Sequence, residues 1–310
     1  MPHTFAHPLF AAPLKKIIPS LSLTGLILGS MSPDFEYFVS MQPFRSIGHS
    51  VLGLLLLVLP ACIAFSLVFH RIVKPALPEL LPDIGSMKPY AAYLNRPWSL
   101  ATWQEWMRFI LSVIIGFLTH VFVDHFTHSS GWFVQRIPFL QKIIIGDELY
   151  HILQHFLTLS GFAAAGIYGL NHYFAWKKKQ RKQSSGIRMH SSSRKLWGLL
   201  FFAALAMFLG KLLFSDHIFS ISIWAVAPIT SVLFGVYLAA MLHSAKKAHQ
   251  TKRAVLILFV LVLFIVVYKL WSLHSEFSIA IWVVYNGVLA IILSVSAFLV
   301  RKNDSPFKLM

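Results

Sequence analysis

Residues 107–126 read MRFILSVIIGFLTHVFVDHF, an apolar stretch that nevertheless contains His120 and Asp124. A helix of about 20 residues is long enough to cross the hydrocarbon core of a bilayer. Further apolar stretches of comparable length occur along the rest of the chain. They lie at 51–69, 152–176, 196–214, 218–242, 254–271 and 277–300. The pattern predicts an all-α polytopic integral membrane protein with about seven transmembrane helices.

The composition of the whole chain agrees with a membrane protein. Of the 310 residues, 57% are hydrophobic and only 12% are charged, and the formal net charge is +16. Soluble domains carry roughly 25% charged residues, and disordered chains are poor in large apolar residues. A single cysteine, Cys62, excludes a disulfide scaffold. A soluble nucleic-acid binder is excluded as well, because the aromatic residues would lie inside the spans.

The basic residues predict how the chain is oriented. They are densest at 177–195, and further groups lie at 246–253 and at 301–308. Loops rich in Lys and Arg mark the cytoplasmic side of a membrane protein. We therefore expect a multi-pass protein of the bacterial inner (cytoplasmic) membrane, with these loops and the C-terminus in the cytoplasm and 127–150 outside. The net charge is then a signal of topology and not of an anionic partner.

The N-terminal region and the second half of the chain differ in organisation. The apolar run 17–31 is short and broken by Pro19, Gly25 and Gly29, which predicts a partial or re-entrant helix. In the second half, the motif FSISIW at 219–224 recurs 58 residues later as FSIAIW. We predict three regions from these features. They are a membrane domain at 1–175, a basic cytoplasmic loop at 176–195, and two tandem transmembrane hairpins with a short basic tail at 196–310.

Histidines and carboxylates are costly in apolar spans and mark functional sites there. His120 and Asp124 stand four residues apart, so both project from one helix face and can chelate one divalent ion. His151 and His155 form a second pair with this spacing, and His49 opens a span at the same predicted external depth. Imidazole and carboxylate ligands without thiolate suit Zn²⁺, with Mn²⁺ and Fe²⁺ as alternatives. A buried His–carboxylate hydrogen bond is the simpler alternative for the first pair.

Several motifs before residue 135 occur together in a fixed order. They are PHTFAHP at 2–8, GSMSPDFEYF at 29–38, GHS at 48–50, THVFVDHFTH at 119–128 and GW at 131–132. Together they resemble the bacterial multi-pass membrane proteins called domain-of-unknown-function family 4184. More distantly, their order is similar to that of inner-membrane proteins assigned as metal-dependent hydrolases, and to the zinc-dependent phospholipase C and P1-type nuclease superfamily.

The resemblance implies a set of metal ligands. The residues at the matching positions are His7, Asp34, His49, His120, Asp124 and His128. The superfamily also uses a later His-x-x-x-Glu pair, for which the nearest equivalent is His151-x-x-x-His155 or the acidic residues Asp147 and Glu148. The set is larger than one tetrahedral ion needs, which allows a site with two or three metal ions.

Two functions remain open at this stage, an enzyme and a transporter. The leading hypothesis is a metal-dependent hydrolase that acts on a phosphoester or phospholipid headgroup at the external face. Asp34 and Glu36 are the catalytic candidates, Asp34 as general base or bridging ligand and Glu36 as its supporting residue. The alternative is a transporter or ion-binding protein that uses the same cluster. Haem ligation is a third possibility, which explains Asp34 and Asp124 poorly.

Overall fold

The computed structural model describes residues 2–82, 84–180, 193–215 and 218–299. These residues are mainly helical, and the only sheet among them is a hairpin of β1 (Ile143–Ile144) and β2 (Asp147–Glu148). The all-α prediction is therefore confirmed. The chain divides into two compact units, Met1–Cys62 with Ser99–Ser185, and Ile63–Trp98 with Gly186–Met310.

The helices are numbered in chain order. They are α1 (Pro8–Ala11), α2 (Leu14–Ile17), α3 (Leu23–Met31), α4 (Phe35–Ser40), α5 (Val51–Gly53), α6 (Leu59–Val68), α7 (Lys74–Leu80), α8 (Met87–Leu94), α9 (Trp103–Thr127), α10 (Trp132–Arg136), α11 (Leu149–Gln180), α12 (Ser193–Leu213), α13 (Ile221–Lys247), α14 (Thr251–Ser272) and α15 (Ile279–Leu299). Two π-helical turns, Leu54–Val58 and Phe69–Val73, join α5, α6 and α7 into one continuous helix. A 3-10 turn at Ser32–Asp34 connects α3 to α4.

Six helical segments of the described residues are long and apolar enough to cross a membrane. They are Val51–Leu80, Trp103–Arg136, Arg194–Leu213, Ile221–Lys247, Thr251–Ser272 and Ile279–Leu299. Each corresponds to one of the apolar runs that the sequence predicted. The chain is accordingly a polytopic α-helical membrane protein.

The seventh predicted span, 152–176, lies within α11, which is helical throughout but is not among these six segments. Polar residues interrupt its apolar character near both ends, with Gln154 and His155 in the first turns and Asn171 with His172 towards the last. The count of spans by length and composition is therefore six, against about seven predicted.

The N-terminal run 17–31 does not form a helix that can cross a membrane. It contains α3, whose nine residues extend only about 14 Å, against about 30 Å of hydrocarbon. This helix packs closely on α9 through glycines: a Cβ on Gly29 would lie 2.3 Å from the carbonyl oxygen of Val113, and one on Gly116 would lie 2.5 Å from that of Leu26. Small residues permit this approach of two backbones.

The second unit contains the predicted repeat. Helices α14 and α15 begin 58 residues after α12 and α13 respectively (251 against 193, and 279 against 221).

The predicted basic loop 176–195 is partly helical, since Lys177, Lys178 and Lys179 lie in the last turn of α11. Residues 181–192 of that loop and the basic tail from 300 lie outside the described residues.

Candidate metal centre

Four separate segments of the first unit bring histidines and carboxylates together. His7 precedes α1, Asp34 ends the 3-10 turn after α3, and His49 lies just before α5. His120 and Asp124 lie in the last two turns of α9. Asp34 lies in a 3-10 turn and His49 in the loop before α5, so the positions of both depend on contacts with neighbouring segments.

The centre of the cluster consists of two imidazole nitrogens and two carboxylate oxygens. His49 Nε2 lies 3.3 Å from His120 Nε2 and 3.4 Å from Asp124 Oδ2, and His120 Nε2 lies 3.3 Å from the same oxygen. Asp34 Oδ1 lies 3.5 Å from His49 Nε2 and 3.8 Å from His120 Nε2. All four side chains are largely buried, and His120 is fully buried.

These distances fit a shared cation better than a set of hydrogen bonds. Hydrogen bonds between such atoms are usually 2.7–3.2 Å long. Ligand atoms about 2.0–2.1 Å from a tetrahedral Zn²⁺ lie about 3.3–3.4 Å from one another. The three distances among His49 Nε2, His120 Nε2 and Asp124 Oδ2, 3.3 to 3.4 Å, match that spacing, whereas those from Asp34 Oδ1 to the two histidines, 3.5 and 3.8 Å, are longer. Two overlapping groups have all their ligand atoms within 4.8 Å of one another and could each hold an ion, His49 with His120 and Asp124, and His7 with Asp34 and His120.

The other oxygen of Asp124 faces two further histidines. Oδ1 lies 3.4 Å from His7 Nε2 and 3.5 Å from His128 Nδ1. The rings of His7 and His120 stack with their centroids 3.6 Å apart. His128 is not in a further turn of the helix, because α9 ends at Thr127 and His128 has an extended backbone. The carboxylate of Asp124 thus lies between two pairs of imidazoles.

Hydrogen bonds from outside the cluster orient its members. His120 Nδ1 lies 2.7 Å from the carbonyl oxygen of Ser30. Because that oxygen can only accept, Nδ1 carries the proton and Nε2 presents its lone pair to the cluster. The hydroxyl of Thr4 donates to Asp34 Oδ2, so Oδ1 remains directed at the two histidines. Such supporting bonds are typical of metal ligands.

Glu36, the catalytic candidate predicted to support Asp34, contacts the loop that carries His49. Its buried carboxylate accepts hydrogen bonds from the backbone N–H groups of Ser46 and Gly48, at 3.1 and 3.0 Å, and from the Ser46 hydroxyl. A Cβ on Gly48 would lie 2.7 Å from the same carboxylate. Glu36 therefore holds the loop that carries His49, which agrees with the supporting role predicted for it.

The environment sets the charge of the residues at this centre. Burial lowers the pKa of His7 to about 4, and the proximity of His120 acts in the same direction, so His7 is neutral at pH 7. Burial opposes ionisation of Asp34, but His120 and the hydrogen bond with His49 hold the pKa of Asp34 below its usual range. Neutral imidazole and ionised carboxylate are the forms that bind metal ions.

His151 and His155 form a separate group with Asp147. His151 Nδ1 lies 2.6 Å from Asp147 Oδ2, and the rings of the two histidines are 4.5 Å apart. The side chains of Asp147 and His151 are 39% and 43% exposed. This group can hold an ion of its own, and its members are distinct from the buried cluster around Asp124.

A pocket of about 240 Å³ opens on the buried cluster. It is lined by Asp34, Tyr37, Arg45, His49, Asp124, His128 and Gln154. The sequence did not point to Tyr37, Arg45 or Gln154, nor to the supporting Thr4 and Ser30. Arg45 lies in a loop without periodicity, and no residue-spacing signal connects it to the histidines.

The family comparison covers the whole of this centre. A profile described as "Domain of unknown function (DUF4184)" matches residues 1–234. Neither the curated proteins nor the solved structures include a match to the chain. The remote similarity to metal-dependent hydrolases therefore stays a prediction. Since the match extends over three quarters of the sequence and confirms the resemblance of its motifs, the chain belongs to the DUF4184 family.

Proposed function

We propose that this protein is a membrane-embedded metal-dependent hydrolase, with Zn²⁺ as the best-fitting ion. The observation that carries the proposal is that His49 Nε2, His120 Nε2 and Asp124 Oδ2 lie 3.3 to 3.4 Å from one another. Asp34 Oδ1 lies 3.5 Å from His49 Nε2 and forms a second group with His120 and His7. The pocket is lined by Asp34, His49 and Asp124. A buried cluster that served only to stabilise the fold would not need such access.

The surrounding residues supply the conditions for hydrolysis of a phosphoester. A divalent ion held by these residues would lower the pKa of a water molecule towards neutrality and polarise phosphoryl oxygens. Thr4 holds Asp34 and Ser30 holds His120, so neither ligand has to reorient when a substrate binds. Asp34 also lines the pocket, and because its pKa is held below the usual range its carboxylate stays ionised, as a metal ligand requires.

The position of the site along its helices suggests where the substrate comes from. His49 lies two residues before the span that begins at Val51, and Asp124 lies three residues before the end of α9 at Thr127. Both helices therefore bring their ligands to one membrane boundary. We propose that this boundary is the external face of a bacterial cytoplasmic membrane, and that a lipid headgroup is the substrate.

The transporter alternative uses the same residues to carry a cation or a proton. It predicts that a bound ion exchanges across the membrane and that no covalent bond is broken. The two proposals therefore differ in detergent solution, where no ion gradient exists. Only the hydrolase forms a hydrolysis product there.

The test is metal analysis and activity on the purified full-length protein in detergent. We expect about one Zn²⁺ or more per chain, and hydrolysis of a generic phosphodiester and of phospholipid that a chelator abolishes and added Zn²⁺ restores. Asp124→Asn should lose both metal and activity, whereas His125→Asn, on the adjacent residue, should keep both. Absence of metal from the wild-type protein would contradict the proposal, and so would a metal content in Asp124→Asn equal to that of wild type.

A further inference from the structure

Two hydrogen-bond donors, Arg45 and Tyr37, line the pocket beside the metal centre. Arg45 forms no ion pair or hydrogen bond with any other residue that the structure describes. The Tyr37 hydroxyl forms no hydrogen bond with these residues either. The guanidinium of Arg45 is close enough to act electrostatically on Tyr37, His49 and His128. Arg45 is exposed and Tyr37 is half-buried, so a ligand in the pocket can reach both.

The charge of the pocket favours an anion once a metal ion is bound. The two carboxylates that line it, Asp34 and Asp124, contribute −2, and Arg45 contributes +1. A divalent ion changes the sum from −1 to +1. Glu36 adds little to the pocket, since its carboxylate accepts hydrogen bonds from Ser46 and Gly48.

We propose that Arg45 and Tyr37 form the phosphate-binding part of the site, which receives the phosphoryl group of a phosphate ester. This inference rests on the proposed function and adds the residues that recognise the substrate. Arginine presents a planar fork of donors that matches two phosphate oxygens. The hydroxyl of Tyr37 supplies a further donor from α4.

The size of the pocket limits the ligand. About 240 Å³ is less than the roughly 300–1,000 Å³ of pockets that enclose drug-sized molecules. A phosphate group with a small alcohol fits, whereas the acyl chains of a lipid have to stay outside. Val51 and Leu52, just after His49, are 75% and 55% exposed and offer an apolar surface for such chains. The phosphate can come from a lipid headgroup or from a soluble ester.

Calorimetry on the full-length protein in detergent tests this inference. The ligands are glycerol phosphate as the soluble source and a short-chain phosphatidylglycerol as the lipid source, with short-chain diacylglycerol as the lipid without phosphate. The variants are Arg45→Lys, Arg45→Gln and Tyr37→Phe. Arg136→Gln is the matched control, because Arg136 is also exposed but stacks on Trp132, outside the pocket lining.

We expect Arg45→Gln to weaken phosphate-ester binding by about ten- to a hundredfold, the range for a hydrogen bond to a charged group. Arg45→Lys should retain part of the affinity, Tyr37→Phe should lose about two- to tenfold, and Arg136→Gln should behave as wild type. A wild-type preference for the lipid over glycerol phosphate identifies the headgroup as the source, and the reverse preference identifies a soluble ester.

Unchanged affinity in Arg45→Gln, equal binding of diacylglycerol and phosphatidylglycerol, or no binding of either phosphate ester to the wild type would each overturn the inference. Zn²⁺ content, measured on the same samples, should be equal in all variants. Loss of phosphate binding with normal Zn²⁺ content separates this role from a general loss of the fold. Wild-type protein that lacks metal would contradict the proposed function, whereas normal metal with no effect of Arg45→Gln would contradict this inference alone.

Discussion

At the scale of single residues, the cluster is organised by side chains that do not themselves face it. Thr4 is almost fully buried and donates to the Asp34 oxygen that points away from the histidines. Removal of the hydroxyl leaves the carboxylate free to rotate. Supporting residues of this kind typically change metal affinity by about 10- to 100-fold. The same argument applies to the Ser30 carbonyl that holds His120.

We therefore predict that Thr4→Val weakens Zn²⁺ binding by about 10- to 100-fold, because valine matches threonine in shape but cannot donate to Asp34. Competition with a chromogenic chelator measures the affinity. Thr4→Ser keeps the hydroxyl and should stay within about threefold of wild type. Equal affinities for Thr4→Val and Thr4→Ser would show that the bond to Asp34 does not orient a metal ligand.

A second residue-scale prediction concerns the two histidines that the structure assigns to a separate group. His151 and His155 lie with Asp147 and not with Asp124. We expect the double change His151→Ala and His155→Ala to leave the tightly bound metal unchanged, whereas His49→Ala with His120→Ala removes it. Elemental analysis after dialysis gives the stoichiometry. Equal losses in both double variants would place all four histidines in one centre.

At the scale of helices, the contact of α3 with α9 determines where the cluster forms. Gly29 precedes Ser30, whose carbonyl fixes His120, and a Cβ at Gly29 would overlap the backbone of Val113. We predict that Gly29→Ala lowers the stability by about 1–3 kcal/mol, as overpacking usually does, and also weakens metal binding. Thermal unfolding in detergent and metal affinity are the measurements.

The matched control for this change is Gly166→Ala in α11. A Cβ at Gly166 would meet no atom within 4 Å. Alanine favours helix over glycine by up to about 1 kcal/mol, so this variant should be as stable as wild type or slightly more so. If Gly29→Ala and Gly166→Ala unfold at the same temperature and bind metal equally well, the tight contact of α3 with α9 is not what supports the centre.

The elements also show which parts of the structure the sequence could predict. Each of the seven apolar runs lies mainly in a helix, because length and apolarity are local properties of the chain. His120 and Asp124 were found by their spacing on one helix face. The roles of Glu36, Arg45 and Thr4 depend on how loops distant in sequence meet, and no local pattern records such contacts. The short α3 was anticipated by its glycines, but its register against α9 was not.

At the scale of the whole molecule, the number of crossings is linked to the side on which the site lies. If only the six apolar segments cross, the site and the C-terminus lie on the same side, together with the basic residues at 177–195. If the site is external and the basic loops are cytoplasmic, an odd number of helices must cross the membrane between the site and each of those loops. The excess of basic residues in those loops therefore favours a seventh crossing, for which α11 is the candidate.

The length and surface of α11 allow it to be the seventh span. Its 32 residues extend about 48 Å, more than the roughly 30 Å of hydrocarbon. Phe156, Leu159 and Phe162 are 62%, 70% and 52% exposed, as expected of side chains that face lipid. Its last turn carries Lys177, Lys178 and Lys179, which suit the cytoplasmic boundary.

This reasoning predicts opposite accessibility for residues on either side of α11. Single cysteines replace Ser130, before the helix, and Lys178, in its last turn, both of which are exposed. Cys62→Ala removes the one native cysteine, which is buried. In spheroplasts, a membrane-impermeant maleimide should label Ser130→Cys at once and Lys178→Cys only after lysis. Labelling of both before lysis would mean that α11 lies along the external surface, and labelling of Lys178→Cys alone would place the metal centre in the cytoplasm.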